Sequence, residues 1–167
     1  MSKNEVSPYL SDPSRLADVI AAIQAMGTYK FYKLDFNKWS MRISGDTSQH
    51  AHWLKVIAEH PEFFRLNSEK NKASLVLRRN YQRTYHVDRN KELSRDERSS
   101  LDKQELDKRV SRLPLSNSDI AVLVNIAISL HSRALEEEKE SKWWFTPIIG
   151  LSGVIIGAII PILWRGS

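Results

Sequence analysis

Apolar positions recur at helical spacing near the start of the chain. A first helix is predicted to begin after Asp12, which can cap free amides, and Pro13, which suits the first helical position. Gly27 is the expected stop. The positions spaced by three or four residues, which predict one apolar stripe, are Leu16, Ile20, Ile23 and Met26.

Two further helices follow an aromatic connector, TYKFYKL, which is itself a candidate short strand. Asp35 is placed to cap the second helix, and Gly45 to stop it. Its inward residues are expected to be Phe36, Trp39 and Ile43. The third helix is expected to end at Pro61 and to bury Ala51, Leu54, Ile57 and Ala58, with Trp53 beside them.

A β-hairpin is predicted next, because residues 63–66 and 73–79 read as strands joined by a polar loop at 67–72. Three short helices followed by a hairpin is the order of elements in a winged helix domain. Residues 12–85 therefore resemble that superfamily, above all where HPEFFRL leaves the third helix and ASLVLRR follows the polar loop. The resemblance implies a module that binds either DNA or another protein.

The second half of the chain changes character twice. Residues 86–115 are charged and poor in apolar residues, which favours an exposed helical linker, and Ser94 with Glu97 has the spacing of a capping box. Residues 116–142 then predict a long amphipathic helix. Its stripe, with spacings of three and four, comprises Ile120, Leu123, Ala127, Leu130 and Ala134. Val122, Val124 and Ile126 add apolar surface on other faces. The helix is therefore expected to pack on the domain, and two alternatives stay open: it packs there alone, or it also packs on a second chain.

The most apolar stretch is residues 143–164. Positions 145–163 carry no charge and, at about 1.5 Å of rise per residue, span roughly 28 Å, close to the hydrocarbon core of a bilayer. Aromatic side chains of the kind found at membrane interfaces bracket it: Trp143, Trp144 and Trp164. The prediction is a single transmembrane helix with the preceding residues in the cytoplasm, at an inner or plasma membrane. Lys139 and Lys142 agree with that orientation.

Small residues lie inside this segment. Gly153 and Gly157 form a G-x-x-x-G pattern, with Gly150 one turn earlier, and such residues let two membrane helices approach closely. Self-association is one interpretation, and the ordinary abundance of glycine in membrane helices is the other.

Charge is placed unevenly along the chain. Residues 1–85 hold 13 Lys and Arg against 8 Asp and Glu, whereas residues 86–142 hold 11 against 12. The basic first half permits nucleic acid or an anionic lipid surface as a partner. The side chains expected to bind nucleic acid or a partner are Lys38, Arg42, Gln49, His52, Lys55, Lys70, Lys72, Arg78, Arg79 and Arg83.

Catalytic patterns are not found in the sequence. The chain has no cysteine, and its histidines do not have the spacing of a metalloprotease motif. We therefore expect that the protein is not an enzyme and that it binds no cofactor and no metal.

The predicted fold class is mainly α with a small β-hairpin. It comprises a flexible tail (1–11), a winged-helix-like cytosolic domain (12–85), a charged linker (86–115), a helical stalk (116–142), a membrane helix (143–164) and a short tail (165–167). The predicted function is a self-associating membrane adaptor or sensor that binds an unidentified partner protein or ligand. The alternatives are a membrane-tethered DNA-binding protein and a small membrane-disrupting effector.

Overall fold

The computed structural model describes residues 7–142, which are mainly helical, with small antiparallel sheets and a long apolar helix as the last element. The helices are α1 (Arg15–Thr28), α2 (Phe36–Ile43), α3 (His50–Glu59), α4 (Arg95–Ser99), α5 (Lys103–Arg109) and α6 (Asn117–Lys142). The strands are β1 (Lys33–Asp35), β2 (Phe64–Leu66), β3 (Lys72–Leu75), β4 (Tyr85–His86), β5 (Lys91–Glu92) and β6 (Val110–Ser111). Short 3-10 helices cover Pro8–Leu10, Thr47–Gln49 and Leu77–Asn80.

The first sheet joins the aromatic connector to the predicted hairpin. Its strand order is β1-β3-β2, with both pairs antiparallel, and Asp35 lies opposite Lys72. Asp35 also caps α2, since its side chain accepts a hydrogen bond from the backbone N–H of Lys38 at 3.0 Å. Gly45 follows α2 with φ of +75°, a conformation that glycine adopts without strain. The predicted cap and stop of α2 are thus confirmed.

Two details of this half differ from the sequence prediction. In α3 the buried side chains are Trp53, Val56 and Ile57, while Leu54 is 36% exposed. The predicted stripe was therefore wrong, because the buried face is rotated about the helix axis from the one expected. Strand β3, the second strand of the hairpin, ends at Leu75 and does not run on to residue 79, because the chain turns there into a 3-10 helix.

Gly27 lies inside α1 and does not stop it. A Cβ atom at this position would come within 3.2 Å of Cγ1 of Ile120, tighter than ordinary packing allows. The backbone N–H of Leu115 donates to the carbonyl of Gly27 at 2.9 Å, which fixes the start of α6 against the end of α1. The absence of a side chain at Gly27 therefore allows these two helices to approach closely.

The long helix α6 runs antiparallel to α1. Ile120 packs at the C-terminal end of α1, whereas His131 lies near Tyr9, which precedes the N-terminal end, with 6.2 Å between ring centroids. The predicted stripe is confirmed: Leu130 is half-buried, and the buried positions are Ile120, Leu123, Ala127 and Ala134.

The expected flexible tail is partly ordered. Tyr9 is only 7% exposed, and its hydroxyl donates to a carboxylate oxygen of Glu62 at 3.0 Å. Its ring also packs on His60, with 4.4 Å between centroids. Burial of this aromatic ring explains why Pro8–Leu10 is ordered as a 3-10 helix against α6.

Residues 86–115 include the exposed helices α4 and α5, in line with the predicted helical linker, but they also form strands. They complete a second sheet of order β5-β4-β6, and Val87, Leu93 and Val110 are buried. The predicted capping box at Ser94 and Glu97 is confirmed and begins α4. Strands of two residues are too short to show an alternating pattern, which is why the sequence suggested an exposed segment.

Candidate partner-binding groove

Arg78, expected on the surface, is fully buried and binds the protein's own backbone. Its guanidinium donates to the carbonyl oxygens of Met26 at 2.9 Å, Arg112 at 2.8 Å and Leu113 at 3.0 Å. It also donates to the carbonyls of Tyr29 and Lys30. Burial lowers the pKa of Arg78 to about 10, so the side chain stays charged at neutral pH, and no carboxylate in the described part of the chain offsets that charge. The prediction that Arg78 binds nucleic acid is corrected.

Arg83 is also used internally. Its guanidinium donates to the carbonyls of Leu106 at 2.8 Å and Val110 at 2.9 Å, at the C-terminal end of α5. Cations are favoured at that end of a helix, where carbonyl groups lack partners. Arg83 therefore ties the second sheet to α5, and its predicted role in binding is likewise corrected.

The candidate residues of α3 are mostly paired with carboxylates. His52 lies 3.1 Å from Asp18, and Lys55 lies 4.0 Å from Glu59. Gln49 is exposed in the 3-10 helix before α3. The remaining wing candidates, all exposed, are Lys70, Lys72 and Arg79.

Lys38 and Arg42, in contrast, are brought together at an open groove of about 450 Å³. We call this the aromatic groove, and its lining residues are Tyr29, Phe31, Leu34, Lys38, Met41 and Arg42. Lys38 and Arg42 are four residues apart on α2, so they project from the same face of the helix. Met41 is 53% exposed and adds apolar surface to the groove.

Aromatic packing fixes the floor of the aromatic groove. Trp39 is fully buried, and its indole N–H donates to the carbonyl of Ala73 at 3.0 Å. The ring of Tyr29 meets Trp39 edge-on, with 6.1 Å between centroids, and lies 6.0 Å from the ring of Phe31. The guanidinium carbon of Arg42 sits over the Tyr29 ring at 4.5 Å, a cation–π contact that orients this cation at the groove.

The carboxylate at the edge of the groove is Asp35. Partial burial acts to raise the pKa of this carboxyl. Hydrogen bonds from the side chain and backbone of Lys38 outweigh that effect, so the pKa lies below its ordinary value. The Lys38 ammonium lies 2.9 Å from Asp35. Because Lys38 is two-thirds exposed, this pair leaves its ammonium accessible to another anion.

A second surface lies on α6, on faces that do not contact α1. Val122 is 56% exposed and Ile126, one turn later, is 43% exposed. Ile128 and Leu135 are also exposed, at 43% and 36%. By length and composition α6 is the one helix in residues 7–142 able to cross a membrane, and another of its faces is packed against α1.

Several predicted residues lie outside the described part of the chain. They belong to the apolar segment 143–164 and are Trp143, Trp144, Gly150, Gly153, Gly157 and Trp164. Among residues 7–142, no three His, Asp or Glu side chains group in a way that could hold a metal ion.

The sequence identified the cations of the aromatic groove but not its floor. Tyr29, Phe31, Leu34 and Met41 were missed as binding residues, and the available signal was the alternation of aromatic and lysine residues in TYKFYKL.

Comparison with known proteins gives no family: no protein family, no curated protein and no solved structure matches the chain.

Proposed function

We propose that this protein is a non-enzymatic adaptor, tethered to a membrane by residues 143–164, that self-associates through α6 and the membrane segment. Its N-terminal half binds a partner. In this proposal the chain crosses an inner or plasma membrane once, and the domain described above lies in the cytoplasm.

The observation that carries this proposal is the division of α6 into two apolar surfaces. One surface, centred on Ala127, is buried against α1, and the other, centred on Val122 and Ile126, faces solvent. An exposed apolar strip on a helix that leads towards a glycine-containing apolar segment favours side-by-side packing of two copies. Parallel association of α6 would place the membrane segments of both copies next to each other.

A winged-helix-like domain is part of the proposal. It is supported by the order α1-β1-α2-α3-β2-β3 and by the sheet order β1-β3-β2, in which the connection between β2 and β3 forms the wing. Lys70, at the tip of that connection, has a φ of +53°, as expected in a tight turn.

DNA binding receives less support than protein binding. Arg78 and Arg83 donate to internal carbonyls, and His52 and Lys55 face carboxylates. Reading guanine in a major groove relies on an accessible arginine or lysine, and the exposed surface of α3 offers a single lysine, Lys55, beside Leu54 and Ala58. We therefore propose a protein partner.

Cross-linking of the full chain in membranes tests the proposal, because the natural sequence contains no cysteine. Val122→Cys and Ile126→Cys are expected to form disulfide-linked dimers on mild oxidation, since disulfides require Cα atoms within about 7 Å. Ser132→Cys, exposed on another face of α6, is the matched control and is expected to remain monomeric.

Two results would overturn the proposal. If Ser132→Cys and Val122→Cys formed dimers in equal amounts, the cross-links would reflect random collision and not a defined interface. Recovery of the full chain in the soluble fraction, in the same amount as a chain lacking residues 143–167, would exclude the membrane tether.

A further inference from the structure

The aromatic groove combines apolar depth with an excess of positive charge. Residues 29–42 contain four cationic side chains and a single carboxylate, a net charge of +3. Lys38 and Arg42 line the groove itself, while Lys33 is exposed on β1 and Lys30 lies 5.8 Å from the centroid of the Phe31 ring. An occupant that complements this surface carries an apolar group flanked by negative charges.

The aromatic rings favour a protein occupant over a nucleobase. Stacking of a base requires an open ring face. One face of Tyr29 is covered by Arg42, and Trp39 meets the same ring edge-on. What remains open is apolar volume beside Leu34 and Met41, which suits an aliphatic or aromatic side chain.

The position of the groove argues against lipid as the occupant. The groove lies beyond the C-terminal end of α1, where Gly27 contacts Ile120. From Ile120 to Lys142, α6 extends about 33 Å in the opposite direction, at 1.5 Å per residue. If residues 143–164 are in a membrane, the groove is held away from that bilayer and faces the aqueous phase.

We propose that the aromatic groove binds an acidic linear segment of a partner protein. One apolar side chain of the segment enters between Phe31 and Met41, and carboxylates on either side of it pair with Lys38 and Arg42. This inference rests on the proposed adaptor function, to which it adds the class of partner.

Fluorescence anisotropy with the full chain in detergent micelles tests the inference. The probe is a fluorescein-labelled peptide in which a Leu-Phe pair is flanked by glutamates. The double variant Lys38→Glu with Arg42→Glu is expected to weaken binding at least about tenfold, because each favourable charge contact becomes a repulsion. The matched control, Arg95→Glu with Lys103→Glu, makes the same change of charge on exposed residues outside the groove lining and outside the predicted binding set, and is expected to bind within about twofold of the natural protein.

Further probes separate the possible occupants. A peptide with Ser-Ser in place of Leu-Phe is expected to lose most of its affinity, since the apolar anchor is gone. Equal weakening by both double variants, or unchanged affinity for the Ser-Ser peptide, would overturn the inference in favour of non-specific charge attraction. Tighter groove-dependent binding of single-stranded DNA, or of phosphatidylserine vesicles, would overturn it in favour of nucleic acid or lipid.

The outcome is distinguishable from that of the adaptor proposal. Dimers at Val122→Cys together with no peptide binding would overturn only the acidic segment as partner. Peptide binding with no dimers would overturn only self-association. The two proposals depend on different surfaces, and a variant in either surface leaves the other intact.

Discussion

The guanidinium of Arg78 donates a hydrogen bond of 2.9 Å to the backbone carbonyl of Met26, fifty-two positions away along the chain. Met26 lies near the end of α1, where carbonyl groups have lost their helical partners. A charged donor satisfies such acceptors better than a neutral one. The side chain thus contributes to the fold at a point where α1, the first sheet and the residues before α6 meet.

Replacing Arg78 is expected to destabilise the protein strongly. Arg78→Met removes the donors of several buried carbonyls, each of which costs about 1–3 kcal/mol when left unsatisfied, so the free energy of unfolding is expected to fall by at least about 3 kcal/mol. Arg79→Met, at the exposed neighbour, is the control and is expected to stay within about 0.5 kcal/mol. Urea unfolding of the full chain in detergent measures both, and equal values would contradict the structural role.

The contact between Gly27 and Ile120 predicts a coupled pair of substitutions. Gly27→Val is expected to destabilise the protein by about 1–3 kcal/mol, because its side chain would collide with Ile120 at the start of α6. Ile120→Ala removes both side-chain atoms that a Cβ at Gly27 would meet most closely, Cγ1 and Cδ1. The double variant is therefore expected to lose less than the sum of the single changes in thermal unfolding. Simple additivity would show that the two side chains do not meet.

Neighbouring positions on α6 are expected to respond in opposite ways. Ala127 is fully buried against α1, so Ala127→Leu should overpack the contact and cost about 1–3 kcal/mol. Ile126→Ser should leave the stability of the monomer within about 0.5 kcal/mol, because Ile126 is 43% exposed. Thermal unfolding at low protein concentration compares them. A larger loss at Ile126 would mean that α6 is rotated relative to this structure.

Glu62 gives a pH dependence whose sign follows from its contacts. Partial burial acts to raise the pKa of this carboxyl. Hydrogen bonds from His60, from the backbone of Glu62 and from Tyr9 outweigh that effect, so the pKa lies below its ordinary value of 4.5. The carboxylate therefore stabilises the folded state above about pH 4.5, and this contribution disappears as the pH falls through the lowered pKa.

Glu62→Gln is accordingly expected to lower the melting temperature at pH 7, and the difference from the natural protein is expected to shrink as the pH falls below about 4.5. Glu136→Gln, at an exposed position on α6, is the matched control and should show no such dependence. Melting curves recorded from pH 3 to pH 7 check the pattern. A difference between natural protein and Glu62→Gln that is constant across this range would exclude the ionised carboxylate as its source.

Sequence reasoning succeeded where local chemistry decides the structure. Asp35 caps α2 and Gly45 ends it as predicted, since both roles depend on the residue type and on neighbours within a few positions. The apolar stripe of α6 was also correct, because a long helix shows its periodicity over several turns. The mainly helical fold with small antiparallel sheets follows from such signals.

Contacts between distant segments could not be predicted in this way. Arg78 and Arg79 look alike in the sequence, and only the acceptors supplied by two distant segments, 26–30 and 112–113, explain why the first is buried. The same holds for Tyr9, whose partner Glu62 lies fifty-three positions later. For the aromatic groove, the cations were evident from charge, but the floor depends on Trp39 holding Tyr29 in place.

The contacts of Arg78 bear on where the chain can be divided. A fragment that ended at residue 85, the boundary drawn from the winged-helix resemblance, would lack the carbonyls of Arg112 and Leu113. It would also lose Leu115 and α6, leaving a charged side chain and the apolar face of α1 without cover. The smallest independently folding unit therefore extends into α6, and the first half of the chain is not a transferable module.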